Sequence, residues 1–359
     1  MGDLGTTSLL YSARPGLRLD GAEQPELEAG LMALVVEEDS DGMARCEATF
    51  GNWGTIRGTM GFPYFDRTLL EFGKRIEISI GSDAAAARVF EGRITALEGR
   101  FPKSRPPEIL VLAEDRLQDL RQTRRSRVFE AASIEEVIRA IASDHGLTPQ
   151  IDIDGPVFPA LAQVNQSDLA FLREKAADVD AEIWVRGNDL LAQARARRRA
   201  NTLTLNYGMG LHELRISADL AHQCSRLVVG GWDVSVREPV DSSAGPDTLA
   251  GEVEGSTGSA VLDATLGSRT ERIAHRLARS AAEGDSLAKA EYRRRARRFV
   301  SGEAVAEGDA RIRVGSAVDL RGTGPLFDGA YTVTAVRHIF DLDRGLVTEF
   351  AVERPWIGP

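Results

Sequence analysis

Gln163-Val-Asn-Gln-Ser-Asp-Leu-Ala-Phe-Leu-Arg-Glu-Lys-Ala-Ala-Asp-Val-Asp-Ala-Glu-Ile-Trp-Val185 carries a helix start, an apolar helical stripe and the beginning of a strand in 23 residues. A helix is expected to begin around Asn165–Asp168, with Leu169, Phe171, Leu172 and Ala176 as its apolar stripe. Glu182–Val185, the turn Gly187-Asn-Asp189 and Leu190–Ala192 then read as a hairpin. Upstream, Ser133-Ile-Glu-Glu136 forms a capping box for a helix that buries Ile134, Val137, Ile138 and Ile141 and ends near His145-Gly146. Residues 114–200 therefore read as a compact α+β insert, opened by a short helical turn at Asp115.

β character surrounds this insert. Residues 1–113 carry about six short strands separated by Gly, Pro and Asp turns, which suits a small barrel or sandwich. Arg75-Ile-Glu-Ile-Ser-Ile80 puts three isoleucines on one face. After Asn201, Thr202–Leu205, Leu211–Ile216 and Ser225–Gly230 read as strands. Near the end, Tyr331, Val333 and Ala335 share a face. Leu346, Thr348, Phe350 and Val352 alternate with Val347, Glu349, Ala351 and Glu353, giving a closing hairpin with one wet face. Residues 201–240 plus 305–359 thus make a second β domain. Residues 241–304 read as a loop (Asp241–Gly258, rich in Gly, Ser, Pro and Asp) and a charged helix over 283–300. The two β regions show no residue-level repeat by eye.

Composition narrows the function classes. A chain of 359 residues with 43% hydrophobic residues supports several cored domains. A formal net charge of −10 disfavours nucleic acid as the main partner. Two cysteines, Cys46 and Cys224, make no disulfide framework and fit synthesis in a reducing compartment, as buried small apolar residues. No secretory leader and no apolar run of membrane-spanning length is visible. Met1-Gly2-Asp-Leu-Gly-Thr6 satisfies the short myristoylation pattern, which often matches by chance.

Catalytic spacing is not found. His145, His212, His222, His275 and His338 are scattered, and His212, His222 and Cys224 lack zinc-ligand spacing. His338 is expected to serve a structural hydrogen bond. Gly284-Asp-Ser-Leu-Ala288 lacks the strand–helix context of a nucleophile elbow. Gly322-Thr-Gly324 reads as a turn rather than a dinucleotide loop. No carboxylate pair is flagged for glycosidase chemistry. The expectation is no catalytic residue, no cofactor and no metal. Two basic runs stand out, Arg195, Arg197, Arg198 and Arg199, and Arg293, Arg294, Arg295, Arg297 and Arg298. Their plain reading is solvated faces; the sharper one is contact with an acidic partner or passing DNA. Trp53, Trp184, Trp232 and Trp356 are dispersed, so no stacking platform is expected, and Trp356 is exposed by position.

Three elements, in this order and spacing, resemble the late-control-D family, the hubs of contractile phage tails and related injection machines. They are Arg127-Val-Phe-Glu-Ala-Ala-Ser-Ile-Glu-Glu-Val-Ile, then Gln163–Leu172, then Gly329–His338 with Gly345–Thr348. The resemblance covers nearly the whole chain. It implies two tail-tube-like β-barrel domains interrupted by small α+β pieces. It also implies a homotrimer that joins a six-fold tail tube to a three-fold spike. Implied partners are the tube or its initiator, a spike protein, the tape-measure protein and the baseplate wedge. No membrane insertion is implied, and nucleic acid enters only as passing cargo. Because the chain stops at Pro359, just past the closing hairpin, the spike is expected to be a separate protein. Implied location is the bacterial cytoplasm during assembly, then the baseplate of a particle. Competing readings are a cell-wall hydrolase working through the α+β insert and a free surface-binding β protein.

Overall fold

The computed structural model describes residues 14–56, 58–81 and 86–358. The Met1–Thr6 pattern lies outside them, as does the start of the 1–113 domain. The molecule is mostly β, as expected, and its buried apolar residues form four separate clusters.

The first cluster lies among six strands: Gly16–Leu19, Leu31–Asp39, Arg45–Gly51, Arg75–Ile80, Ala87–Arg100 and Glu108–Glu114. In space they run first, fourth, fifth, sixth, third, second. The period-2 reading of Arg75–Ile80 holds: Ile76, Ile78 and Ile80 all enter the core. The third cluster lies among six later strands: Thr202–Tyr207, Gly210–Ala218, Val300–Glu307, Ala317–Arg321, Gly329–Asp341 and Gly345–Arg354. Their order is again first, fourth, fifth, sixth, third, second. Here the sheet closes into a barrel, because the first and second strands pair at Asn206↔Gly210 and Tyr207↔Leu211. In the first group those two strands do not pair. The Pro25–Gly30 helix joins them and puts Leu27 into the core. One direction also differs: the first–fourth pairing is antiparallel in the first group and parallel in the second.

The shared order extends to irregularities. Each second strand bulges against its third strand at the same place, between Leu31 and Ala33 and between Leu211 and Glu213. Each fifth strand bulges against its sixth between Ile94 and Ala96 and between Val333 and Ala335. Bulges are defined features of a fold and serve as registration marks. Aligned on them, Ile94-Thr-Ala-Leu-Glu-Gly-Arg-Phe101 matches Val333-Thr-Ala-Val-Arg-His-Ile-Phe340. A residue-level repeat is therefore present along the fifth strands. The second bulge also corrects the expected face of the fifth strand: after Val333 the phase shifts, and Val336, His338 and Phe340 point inward rather than Ala335.

The two β groups form one continuous sheet. Ala335–Asp341 pairs antiparallel with Ala33–Asp39, so the fifth strand of the second barrel lies against the second strand of the first.

The α+β insert forms the second cluster. Its helices are Leu117–Arg121, Ile134–Asp144 and Asp168–Ala177. The capping box at Ser133 is complete, and Ser167 caps the next helix. The hairpin turns at Gly187-Asn188. The fourth cluster departs from the reading. Arg226–Asp233, assigned to the second β domain, pairs with Glu238–Ala244 and Thr270–Ala278 in a separate three-stranded sheet against the Ala281–Arg297 helix. The supposed loop from Asp241 is ordered through Ala244 as an edge strand, followed by a 3₁₀ turn at Pro246–Leu249. Composition misled because the inward face of this strand alternates apolar and polar: Val240 and Ala244 enter the core, while Ser242 between them meets the helix at the Ala281 carbonyl.

Candidate assembly surfaces

The opening stretch owes its pattern to one guanidinium. Arg124–Ser133 and Val157–Ser167 form an antiparallel ribbon that sets Arg127 opposite Gln163. Arg127 Nε donates to Gln163 Oε1 at 2.8 Å and Nη2 to Asp168 Oδ1 at 2.8 Å. Gln163 Nε2 also donates to Asp168 Oδ1, at 2.9 Å, and His145 Nε2 lies 2.8 Å from Asp168 Oδ2. The Arg127 guanidinium covers the Phe129 ring, which stacks on Phe171. Asp168 is fully buried. Burial alone would raise its pKa, but His145, Gln163 and Arg127 outweigh that and hold it below the usual carboxylate range. Among the described residues no hydroxyl or thiol hydrogen-bonds to the His145 ring, so this His–Asp pair orders the insert.

The seam between the β groups is ionic and half-buried. Arg313 grips Glu38 in a fork, Nε to Oε1 at 2.8 Å and Nη2 to Oε2 at 2.7 Å, and the Val314 N–H donates to Oε1 at 2.7 Å. Arg337 bridges Glu37 at 2.7 Å and Glu349 at 3.0 Å on the outer face. His338 takes the structural role expected of it. Its Nδ1 lies 3.0 Å from Thr348 Oγ1, which also accepts from the Asp309 N–H. Burial, reinforced by Arg313, pushes its pKa down to about 4.

The basic runs are not mainly solvated faces. Arg297 is buried and gripped from two sides, by Asp180 at 2.5 and 2.8 Å and by Glu252 at 2.7 and 2.9 Å. It ties the Ala281–Arg297 helix to the insert. Arg195 contacts Glu182 at 3.3 Å and Glu353 at 2.5 Å. Arg198 pairs with Glu182 at 2.9 Å and lies 4.0 Å over the Trp184 ring. Arg197 reaches Asp152 and Asp154. Arg293 donates to the Thr248 carbonyl, Arg294 and Arg295 pair with Glu291, and Arg295 also pairs with Glu271. Arg297 and Arg293 join the helix to the insert through Asp180, and Arg195 joins the insert to the closing hairpin through Glu353, while the other arginines pair within their own modules. Sequence reasoning missed these joints because Asp180 and Glu353 lie far along the chain from the arginines they bind.

The remaining sequence candidates are dispersed. His212, His222 and His275 are exposed, and no group of three metal-ligating side chains occurs among the described residues. His222 borders a cleft of about 980 Å³ lined by mixed charge, including Arg215, Arg298, Asp39, Asp219 and Glu303. Cys46 and Cys224 are buried in separate cores, and burial pushes both thiols up. Ser286 lies within a helix and donates to the Asp178 carbonyl, so 284–288 is no nucleophile elbow. Gly322 sits in a turn, at φ +80°.

Two aromatic readings need correction. Trp356 is buried, and the Arg354 guanidinium lies between its ring (3.9 Å) and that of Tyr331 (4.3 Å). Trp53 is not isolated: it meets Phe62 edge-on at 5.2 Å, Phe62 stacks on Phe65 at 5.3 Å, and Phe65 lies 5.6 Å from Phe101. Trp53, Phe62 and Phe101 are exposed, making an apolar patch at one end of the first β group. The sequence hid it because its rings come from three separate loops.

Two strand edges are also open among the described residues. The Ala87–Arg100 strand has a second neighbour only as far as Arg93, with Ile94 bonded to the 73–74 turn, so its edge from Thr95 onward is unpaired. Gly210–Ala218 has a second neighbour only at Gly210 and Leu211.

Two β groups of one strand order, one of them closed into a barrel, with α+β insertions, are a fold also found in phage tail proteins of known structure. A 43 kDa tail protein of prophage MuSo2 from Shewanella oneidensis matches at TM-score 0.67 and 13% identity, over 95% of this chain and 98% of that one. A tail protein from Neisseria meningitidis matches at TM-score 0.67 and 11% identity, over 95% and 96%. An E. coli protein, described as a type VI secretion component with structural similarity to T4 phage tail proteins, matches at TM-score 0.62 and 11% identity, over 96% and 79%. These likenesses are of fold. The chain belongs to the family described as the Alg8 N-terminal domain, whose model matches residues 36–341. No curated protein sequence matches it.

Proposed function

We propose that this chain is a structural baseplate hub of the late-control-D kind, a homotrimer joining a six-fold tail tube to a three-fold spike. The observation that supports this reading best is the repetition of one barrel order, with the same bulges, side by side in one chain. Three such chains present six β groups of one strand order to a tube while keeping true three-fold symmetry toward a spike. Identical contacts cannot repeat across unequal rotations, so an adaptor at that joint needs this double character. The fold likeness to phage tail and type VI secretion proteins agrees with the reading. So does the use of buried arginines to lock modules rather than to build a pocket.

In this reading the partners are the tube or its initiator, the spike, the tape-measure protein and the baseplate wedge. The chain is made in the bacterial cytoplasm and ends in the baseplate. Nucleic acid passes without being held, since the net charge is −10. The role is non-enzymatic.

Light scattering on the purified chain, alone and with its spike protein, tests the reading. Three copies per particle are expected, alone or with the spike. A monomer that ignores the spike and cleaves peptidoglycan would replace the hub by a hydrolase.

A further inference from the structure

Where the first β group, the insert and the closed barrel meet, they line a cavity of about 610 Å³. Its carboxylates are largely answered within the chain. Both oxygens of Glu38 are held by the Arg313 fork. Glu91 pairs with Arg88 at 2.6 Å. Asp115 accepts the Ala44 N–H on one oxygen and the Leu117 N–H on the other. Asp39 accepts from the Asp41 N–H.

The arginines that the insert brings to the same cavity are not answered. Arg198 is more than nine-tenths buried, yet it donates only through Nη1, to Glu182 at 2.9 Å. Among the described residues its Nε and Nη2 meet no acceptor. Its position is fixed on two sides: the guanidinium lies 4.0 Å over the Trp184 ring, and a Cβ on Gly315 would come within 2.7 Å of Arg198 Cγ. Arg199 donates only to the Arg198 carbonyl. Arg186, exposed at the cavity, has no hydrogen bond or ion pair among the described residues. A buried guanidinium with donors left unmade is costly, and a site that keeps one has a use for it. Here three guanidiniums with spare N–H groups line one cavity of a chain whose net charge is −10.

We propose that this cavity binds a polyvalent oxyanion of the phosphate class. A carboxylate has two oxygens and is filled by one arginine fork; a phosphate group turns three terminal oxygens to donors on several sides. The bound anion takes the spare N–H groups of Arg198 and draws in Arg186 and Arg199. It thereby pins residues 198–201, the link from the insert into the closed barrel, at the place where three modules meet. The site lies within one chain and is independent of the hub reading.

The test is the melting of the full chain in inorganic pyrophosphate against sodium chloride at equal ionic strength. A rise of several degrees is expected, because a ligand held only by the folded chain stabilises it. Isothermal titration should give one pyrophosphate per chain. Arg186→Gln with Arg199→Gln, two exposed positions, should weaken binding about tenfold and leave the melt in chloride nearly unchanged. Arg237→Gln with Arg279→Gln removes two arginines of the fourth module that lie outside the cavity and should bind as wild type. Citrate, which offers carboxylates alone, should bind about tenfold more weakly than pyrophosphate. No stabilisation beyond that of chloride, equal binding of citrate, or undiminished binding in the Arg186 and Arg199 double variant would each overturn the site.

Discussion

His338 and Asp115 sit in different cores and titrate in opposite senses. Burial and Arg313 hold the His338 pKa at about 4, against about 6.5 unfolded. Below about pH 6.5 the unfolded chain takes up a proton that the folded chain refuses, so this contribution to stability is lost as pH falls toward 4. Burial raises the Asp115 carboxyl to about 7, although it accepts N–H bonds from Ala44 and Leu117. The folded chain then holds a proton that the unfolded one releases near 4, so that contribution is lost as pH rises from about 4 toward 7. The two slopes oppose each other in the native protein. Relative to wild type, His338→Leu should lose stability as pH rises from 4 to 7, and Asp115→Asn as pH falls across the same window, each by about 3 kcal/mol at most. Urea midpoints across that range decide it; unchanged slopes in both variants would contradict the assignment. At the same scale, Arg127→Ala strands Asp168 among Gln163 and His145 and should cost about 3 kcal/mol in a melt, with Arg127→Lys recovering only part because it lacks the fork. The sequence placed a helix start around Asn165–Asp168, with Gln163 just before it. That Arg127 is what they hold became readable only from the ribbon pairing.

Helix starts were the most legible elements. Ser133 with Glu136 and Ser167 before Asp168 are local signals, and both caps form. Ser133→Ala and Ser167→Ala should each cost about 1 kcal/mol. Least legible were the repeat and the fourth module. The barrels share an order of strands, but Leu31 matches Leu211 while Ala96 matches Ala335, so no constant period exists to find. The cause is the three-stranded module inserted between the second and third strands of the closed barrel, which shifts everything after it. Its edge strand hid behind a loop-like composition. Gly42 marks another junction that sequence alone does not reveal. At φ +93° its absent Cβ would lie 1.6 Å from the Ile183 carbonyl oxygen, so the 39–44 turn packs directly on the insert. Gly42→Ala should lower the melting temperature by several degrees, where Gly146→Ala, with open space around it, should be milder.

At the scale of the whole molecule, modules are joined by buried charge. Arg297 bonds Asp180 of the insert and Glu252 of the fourth module, and Arg313 bonds Glu38 across the barrel seam. Removing one partner leaves the others buried and unpaired. Arg297→Ala should therefore cost about 3–5 kcal/mol, more than a surface arginine such as Arg344. Calorimetry should also show the loss as decoupling, with the insert melting apart from the rest; a single shifted transition would argue against module joining. In the proposed hub, three chains set six β groups of one strand order around one channel. End-on electron-microscopy views of the chain assembled with its spike test this most directly. Rotational analysis should give dominant six-fold power at low resolution resolving to three-fold at higher resolution. Rings of any other order, or particles with no ring, would contradict it.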